Sequence, residues 1–156
     1  MLVATGNLWR YHRTHWIVVP TNVGWKLSDG CNIMGKGVAL DARRRFPELP
    51  IWYADACKTR PRTMKMVLYM PGRLILLPTK RFNEKEPWLS WQSPSEFDYV
   101  ESQVAYMAQQ NDLAWNLNIA MPMVGCGCGG LDAAQVEKMI GRYCKDDRYV
   151  LVRQPE

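Results

Sequence analysis

The chain has 156 residues, enough for one domain with a sizeable core, and at 47% hydrophobic and 22% charged it reads as globular. A formal charge of +5 suits a polyanionic partner or a phosphate-bearing small molecule without requiring either. No stretch has the length of a membrane span, no apolar leader opens the chain, and the odd cysteine count points to a reducing, cytoplasmic setting without disulfides.

Leu2–Thr5 reads as a short strand closed by Gly6-Asn7, and Trp16–Pro20 as a buried one, because its β-branched residues run on without polar interruption. Residues 21–32 carry Gly24, Ser28, Asp29 and Gly30 and read as a loop. Val38, Ala42 and Phe46 then recur at helical spacing, so a helix is expected from Gly37 to Phe46, ended by Pro47. A second helix starts at Pro50 or Ile51 and carries Trp52, Tyr53 and Cys57. Met66–Met70 and Leu74–Pro78 flank Pro71-Gly72-Arg73, the spacing of an antiparallel hairpin.

Residues 79–93 form a long polar loop with Lys80, Lys85, Trp88 and Trp91. Its tryptophans are placed either to cover a base or ribose face or to fold back on the core. Ser95 is a candidate N-cap for a helix through Gln110, with Phe97, Val100, Val104 and Met107 on its buried face. Ile119–Val124 is a further strand, Asp132 a candidate cap for a helix bearing Val136, Met139, Ile140 and Tyr143, and Tyr149–Val152 a last strand. Strands and helices alternate along most of the chain. The expected fold is therefore α/β, one domain over residues 1–156, with a mostly parallel sheet covered on both faces and made mixed by the hairpin.

Chemistry concentrates in two glycine-rich stretches that follow strands and run into helices, Gly30–Gly37 and Gly125–Leu131. Repeated glycine lets backbone N–H groups approach a ligand, and a helix N-terminus adds unpaired donors and a favourable dipole. Two such loops suggest a pyrophosphate held between them. Neither stretch is a Walker A sequence or the dinucleotide fingerprint of a first βαβ unit, which weakens nucleoside-triphosphate hydrolase and dehydrogenase readings.

Lys80 follows a strand directly and is either a solvated strand-end lysine or a group aimed into the cleft. To act as a nucleophile it needs desolvation or a nearby cation, for which Arg81 is the candidate in sequence. Asn22 and Asn32 bracket the first loop, each able to bind a ribose hydroxyl or to close an Asx-turn. Asp41 reads as a helix-surface carboxylate. Cys126-Gly-Cys128 is not a CxxC pair and both histidines, His12 and His15, lie far from it in sequence, so neither a metal nor a cofactor is expected. The run Arg43-Arg44-Arg45 reads as solvated surface, since three successive residues cannot share one helix face.

Taken in order, Val18-Val19-Pro20-Thr21-Asn22, Asn32–Ala39 with Met34-Gly35-Lys36-Gly37, Leu77-Pro78-Thr79-Lys80 and Met121–Leu131 resemble a macrodomain. The branch they look like holds the terminal ADP-ribose protein glycohydrolase and the DarG-type DNA ADP-ribosyl glycohydrolase antitoxins. The resemblance implies a three-layer α/β/α fold with a mixed sheet of about six strands and an ADP-ribose cleft over the strand ends. It implies adenine near Gly6, Asn7 and Leu8, with Asn22, Asn32 and Thr79 about the site. The pyrophosphate and distal ribose would lie along Met34, Gly35, Lys36, Gly37 and Val38. Gly125, Cys126, Gly127, Cys128, Gly129, Gly130 and Leu131 would form the opposite wall, and Lys80 would be the catalytic group at the anomeric carbon.

The sequence departs from the family pattern in three places. Asn7 replaces a frequent Asp, the loop over residues 23–31 is long, and Gly129 stands where the protein-directed enzyme carries a catalytic Asp. The expected activity is release of ADP-ribose from a macromolecule, plausibly DNA, with nucleic acid met through the basic span from Arg43 to Arg81. The alternatives are a non-catalytic ADP-ribose binder and an ADP-ribose-1″-phosphate phosphatase. ADP-ribose or an ADP-ribosylated substrate is the expected partner, nucleic acid a further one, and no membrane is expected.

Overall fold

A computed structural model describes residues 1–155. Six strands form one sheet in the order β1 (Leu2–Thr5), β6 (Tyr149–Arg153), β5 (Ile119–Met121), β2 (Trp16–Asn22), β4 (Leu74–Lys80) and β3 (Val67–Tyr69). Neighbours are parallel except β3, which runs antiparallel to β4 as the hairpin spacing predicts. Helices α1 (Gly37–Arg45) and α2 (Leu49–Thr59) cover one face, and α3 (Phe97–Gln110) and α4 (Ala133–Tyr143) the other.

The pleat decides which core each strand residue joins. Ile17, Val19, Leu74 and Leu76 pack with Ala42, Leu49 and Tyr53 beneath α1 and α2. Val18, Ile75 and Leu77 point the other way and pack with Val100, Val104, Val136 and Ile140 of α3 and α4. The uninterrupted apolar runs of β2 and β4 are thus strands buried on both faces. Among the described residues, no helix is long and apolar enough to cross a membrane.

Several expectations shift at element ends. Leu8–Arg13 is a 3₁₀ helix where no element was expected, started by Asn7, whose side chain accepts from the Trp9 N–H at 3.0 Å. A six-residue element is too short to show helical periodicity. β5 stops at Met121 rather than Val124, because Pro122 has no N–H for the ladder. β4 runs two residues further than expected, through Thr79 to Lys80. Ser95 does not cap α3. The helix starts after Glu96 without a side-chain cap, and the Ser95 N–H donates instead to Gly129 O at 3.1 Å. Asp132 does cap α4, accepting from the Gln135 N–H at 3.0 Å.

This topology fixes where a ligand fits. From β2 the chain moves to the β4 side of the sheet, and from β5 to the β6 side, so the loops leaving these adjacent strands diverge and open a crevice at their carboxyl ends.

Candidate functional site

The crevice is bounded by the loops after β1, β2, β4 and β5. One part of it is a cleft of about 370 Å³ between the Gly6–Trp9 segment, the start of α1 at Gly37 and Val38, Pro122 after β5, and the end of β6. Asn7 and Leu8 therefore meet the first glycine loop in space. Asp41 also faces this cleft, its Oδ2 accepting from Trp9 Nε1 at 3.3 Å, so it is more than a surface carboxylate.

The first glycine loop is held from below. Asn22 Nδ2 donates to Ile33 O at 2.9 Å, while Asn22 Oδ1 accepts from the Gly24 N–H at 3.0 Å and from Asn32 Nδ2 at 3.1 Å. Asn32 Nδ2 also reaches Asn22 O at 3.0 Å and Gly24 O at 2.7 Å. Asn22 thus shapes the loop with all of its polar side chain. Asn32 Oδ1 is buried without a hydrogen-bond partner among the described residues, a costly state. Met34 is 1% exposed, its side chain anchored in the core while its backbone carries the loop onward.

At the end of this loop, α1 starts with no side-chain cap. Lys36 occupies the N-cap position and Gly37 takes φ 57°, a left-handed conformation suited to glycine. Among the described residues the amides of Lys36, Gly37 and Val38 make no hydrogen bond. Free donors, the helix dipole and the exposed Lys36 charge make this end a receptor for an anion.

The second loop is built differently. Leu131 N–H bonds to Gly125 O at 3.0 Å and Gly130 N–H to Gly127 O at 3.3 Å, so the loop folds on itself. The amides of Gly127, Cys128 and Gly129 make no hydrogen bond among the described residues. The helix that follows is already capped by the Asp132 carboxylate. Cys126 and Leu131 turn toward the α3–α4 core, and Cys128 is exposed.

Gly129 is held by steric necessity. A Cβ there would lie 2.2 Å from Ser95 Oγ and 2.5 Å from Gly125 O. Any side chain, aspartate included, would displace Ser95, whose own hydroxyl is buried and unpartnered.

Lys80 ends β4 at an irregularity. Thr21 pairs with Pro78 but Asn22 with Lys80, leaving Thr79 unpaired in the ladder. Such a bulge re-aims the side chains beyond it. Thr79 is buried and donates to Thr21 O at 3.3 Å, tying the bulge to β2. Lys80 Nζ donates to Trp91 O at 2.7 Å, so the long loop reaches back to the amine by its backbone while the Trp91 ring stays 39% exposed.

Partial burial lowers the Lys80 pKa; Cys128 pulls the other way, and the positive charge of Lys36 adds to the fall. The cation is Lys36 and not Arg81, whose Nε is paired with Glu96 Oε2 at 2.5 Å. Sequence reasoning missed the Trp91 carbonyl and the Ser95 wedge, both contacts across long chain separations. Among the described residues there is no group of histidine, cysteine and acidic side chains able to hold a metal.

Comparison with known proteins gives these pieces a context. No protein-family model matches the chain. The DNA ADP-ribosyl glycohydrolase of Mycobacterium tuberculosis is 32% identical over 115 residues, covering 69% of this chain and 30% of that protein. The chain thus spans about a third of the length of that relative. The macrodomain of Thermus aquaticus DarG superimposes with a TM-score of 0.75 at 27% identity, covering 99% of this chain and 97% of that structure. The macrodomain of Mycobacterium tuberculosis DarG gives 0.75 at 28% identity, covering 99% and 98%.

Proposed function

The chain is a macrodomain related to the DarG-type DNA ADP-ribosyl glycohydrolases, and from that premise we propose that it binds ADP-ribose in the crevice and releases it from modified DNA. The adenosine end lies in the cleft by Asn7, Leu8 and Asp41. The diphosphate meets the open N-terminus of α1 and the free amides of the second loop. The distal ribose lies between the first glycine loop and Lys80.

The observation that carries catalysis is the Lys80 amine, half-buried, fixed on a carbonyl and depressed in pKa beside a second cation. Once neutral, its lone pair attacks C1″ of the ribose, and the bond to the base nitrogen breaks with its electron pair leaving on that nitrogen. The attacking amine gives up a proton and the departing nitrogen gains one. Water then hydrolyses the lysine adduct, returning the amine and free ADP-ribose. Holding the diphosphate at two loops converts this attack into a reaction between positioned groups.

DNA is favoured over protein as the carrier because Gly129 leaves no space for the aspartate of the protein-directed enzyme. The test is to incubate the protein with an ADP-ribosylated oligonucleotide and an ADP-ribosylated protein, alongside Lys80→Ala. Release from DNA by the unaltered chain alone is expected. Release from neither substrate, with intact ADP-ribose still bound, would instead establish a binding module.

A further inference from the structure

Between the Trp9 side of the cleft and the far end of the sheet, three separate segments carry exposed arginines. Arg10 and Arg13 lie on the 3₁₀ helix, Arg44 and Arg45 on the last turn of α1, and Arg73 at the β3–β4 turn. Their supports interlock. The Arg45 guanidinium sits 4.3 Å over the Trp9 ring. Trp9 meets His12 edge-on at 5.5 Å, and His12 meets Phe46 at 6.3 Å. Arg73 Nη2 donates to His12 O at 2.5 Å, and His12 Nε2 lies 2.7 Å from Gly72 O.

All five arginines are exposed, and none has a carboxylate partner among the described residues. Of the seven other arginines, Arg62, Arg81, Arg142, Arg148 and Arg153 each pair with an acidic side chain, while Arg43 and Arg60 do not among the described residues. The carboxylates nearest in sequence are committed, Asp41 to Trp9 and Glu48 to the Tyr69 hydroxyl. Five exposed guanidinium groups with no carboxylate among them make a positive patch that a polyanion can meet by releasing its counterions.

We propose that this arginine face is a second nucleic-acid contact, a dock for the phosphate backbone that works whether or not the nucleic acid carries ADP-ribose. The planar guanidinium fork takes two phosphate oxygens at once, and the described contacts of this face involve arginine and no lysine. The aromatic rings beneath it pack on one another and are not presented as the apolar centre an acidic protein partner would need. β4 spans roughly 20 Å between the two ends of the sheet, about six base-pair steps of duplex. A duplex held at the arginine face keeps neighbouring modified bases at high local concentration for the crevice.

The test uses an unmodified 20-mer duplex and measures fluorescence anisotropy at several salt concentrations. Probes are the unaltered chain, Arg10→Gln/Arg13→Gln/Arg44→Gln, and Lys80→Ala. The triple variant leaves the Arg45–Trp9 contact alone, and its melting temperature reports whether it is folded. Salt-dependent binding is expected, with the triple variant at least tenfold weaker and its log–log salt slope shallower by about 2 to 3. Lys80→Ala binds as the unaltered chain does.

Three outcomes overturn the proposal: no binding at low salt, binding the folded triple variant retains, or binding of a poly-glutamate peptide or anionic vesicles as tight as that of DNA. The probe carries no ADP-ribose, so its failure leaves the crevice reading standing, and failure of that reading leaves this one.

Discussion

The two glycine loops look alike in sequence and differ in how the helix after each begins. α1 begins without a side-chain cap, with Lys36 at the cap position and free first-turn amides, whereas α4 begins with the Asp132 carboxylate already on its donors. An open helix start costs about 1 kcal/mol against a capped one, and a bound anion offsets that cost. The capped loop contributes amides of its own turn and no helix end. Glycine content alone identifies a loop able to meet a phosphate, and the residue at the N-cap decides whether the helix takes part.

The largest expected effect lies at the lysine between the loops. Lys80→Ala lowers release of ADP-ribose by about a thousandfold or more while leaving ADP-ribose affinity within a few-fold, read by single-turnover assay and calorimetry. Activity of the unaltered chain rises as pH climbs toward the lowered Lys80 pKa, because the reacting form is the neutral amine. A rate that falls over the same range would assign the ammonium an electrostatic role instead.

Next comes the contrast between the loops themselves. Lys36→Asp gives α1 the cap that α4 has and weakens ADP-ribose binding about tenfold or more. The wall at Gly129 responds in stability. Gly129→Asp drives a side chain into Ser95 and costs about 1–3 kcal/mol, seen as a fall in melting temperature, without creating release from ADP-ribosylated protein. Asp132→Ala is the smallest change. It costs about 1 kcal/mol through loss of the cap and leaves ADP-ribose affinity unaltered.

Legibility followed the range of the interaction. Strand cores, the hairpin, the Asp132 cap and the α1 boundary are written in neighbouring residues, and periodicity with proline and glycine punctuation finds them. The place of Lys80 at the end of a strand is legible in the same way. What stayed hidden depends on distant segments meeting. Ser95 stands one residue before the N-cap with its hydroxyl buried against Gly129, and Lys80 finds its carbonyl in Trp91. Arg43-Arg44-Arg45 reads as solvated surface, and all three are exposed.

The crevice is expected to bind ADP-ribose through the open start of α1. Calorimetric titration of ADP-ribose into the unaltered chain, Lys36→Asp and Asp132→Ala tests this most directly. Saturable one-site binding is predicted for the unaltered chain and Asp132→Ala, with Lys36→Asp at least tenfold weaker. No heat of binding to the unaltered chain, or equal loss in both variants, would contradict it.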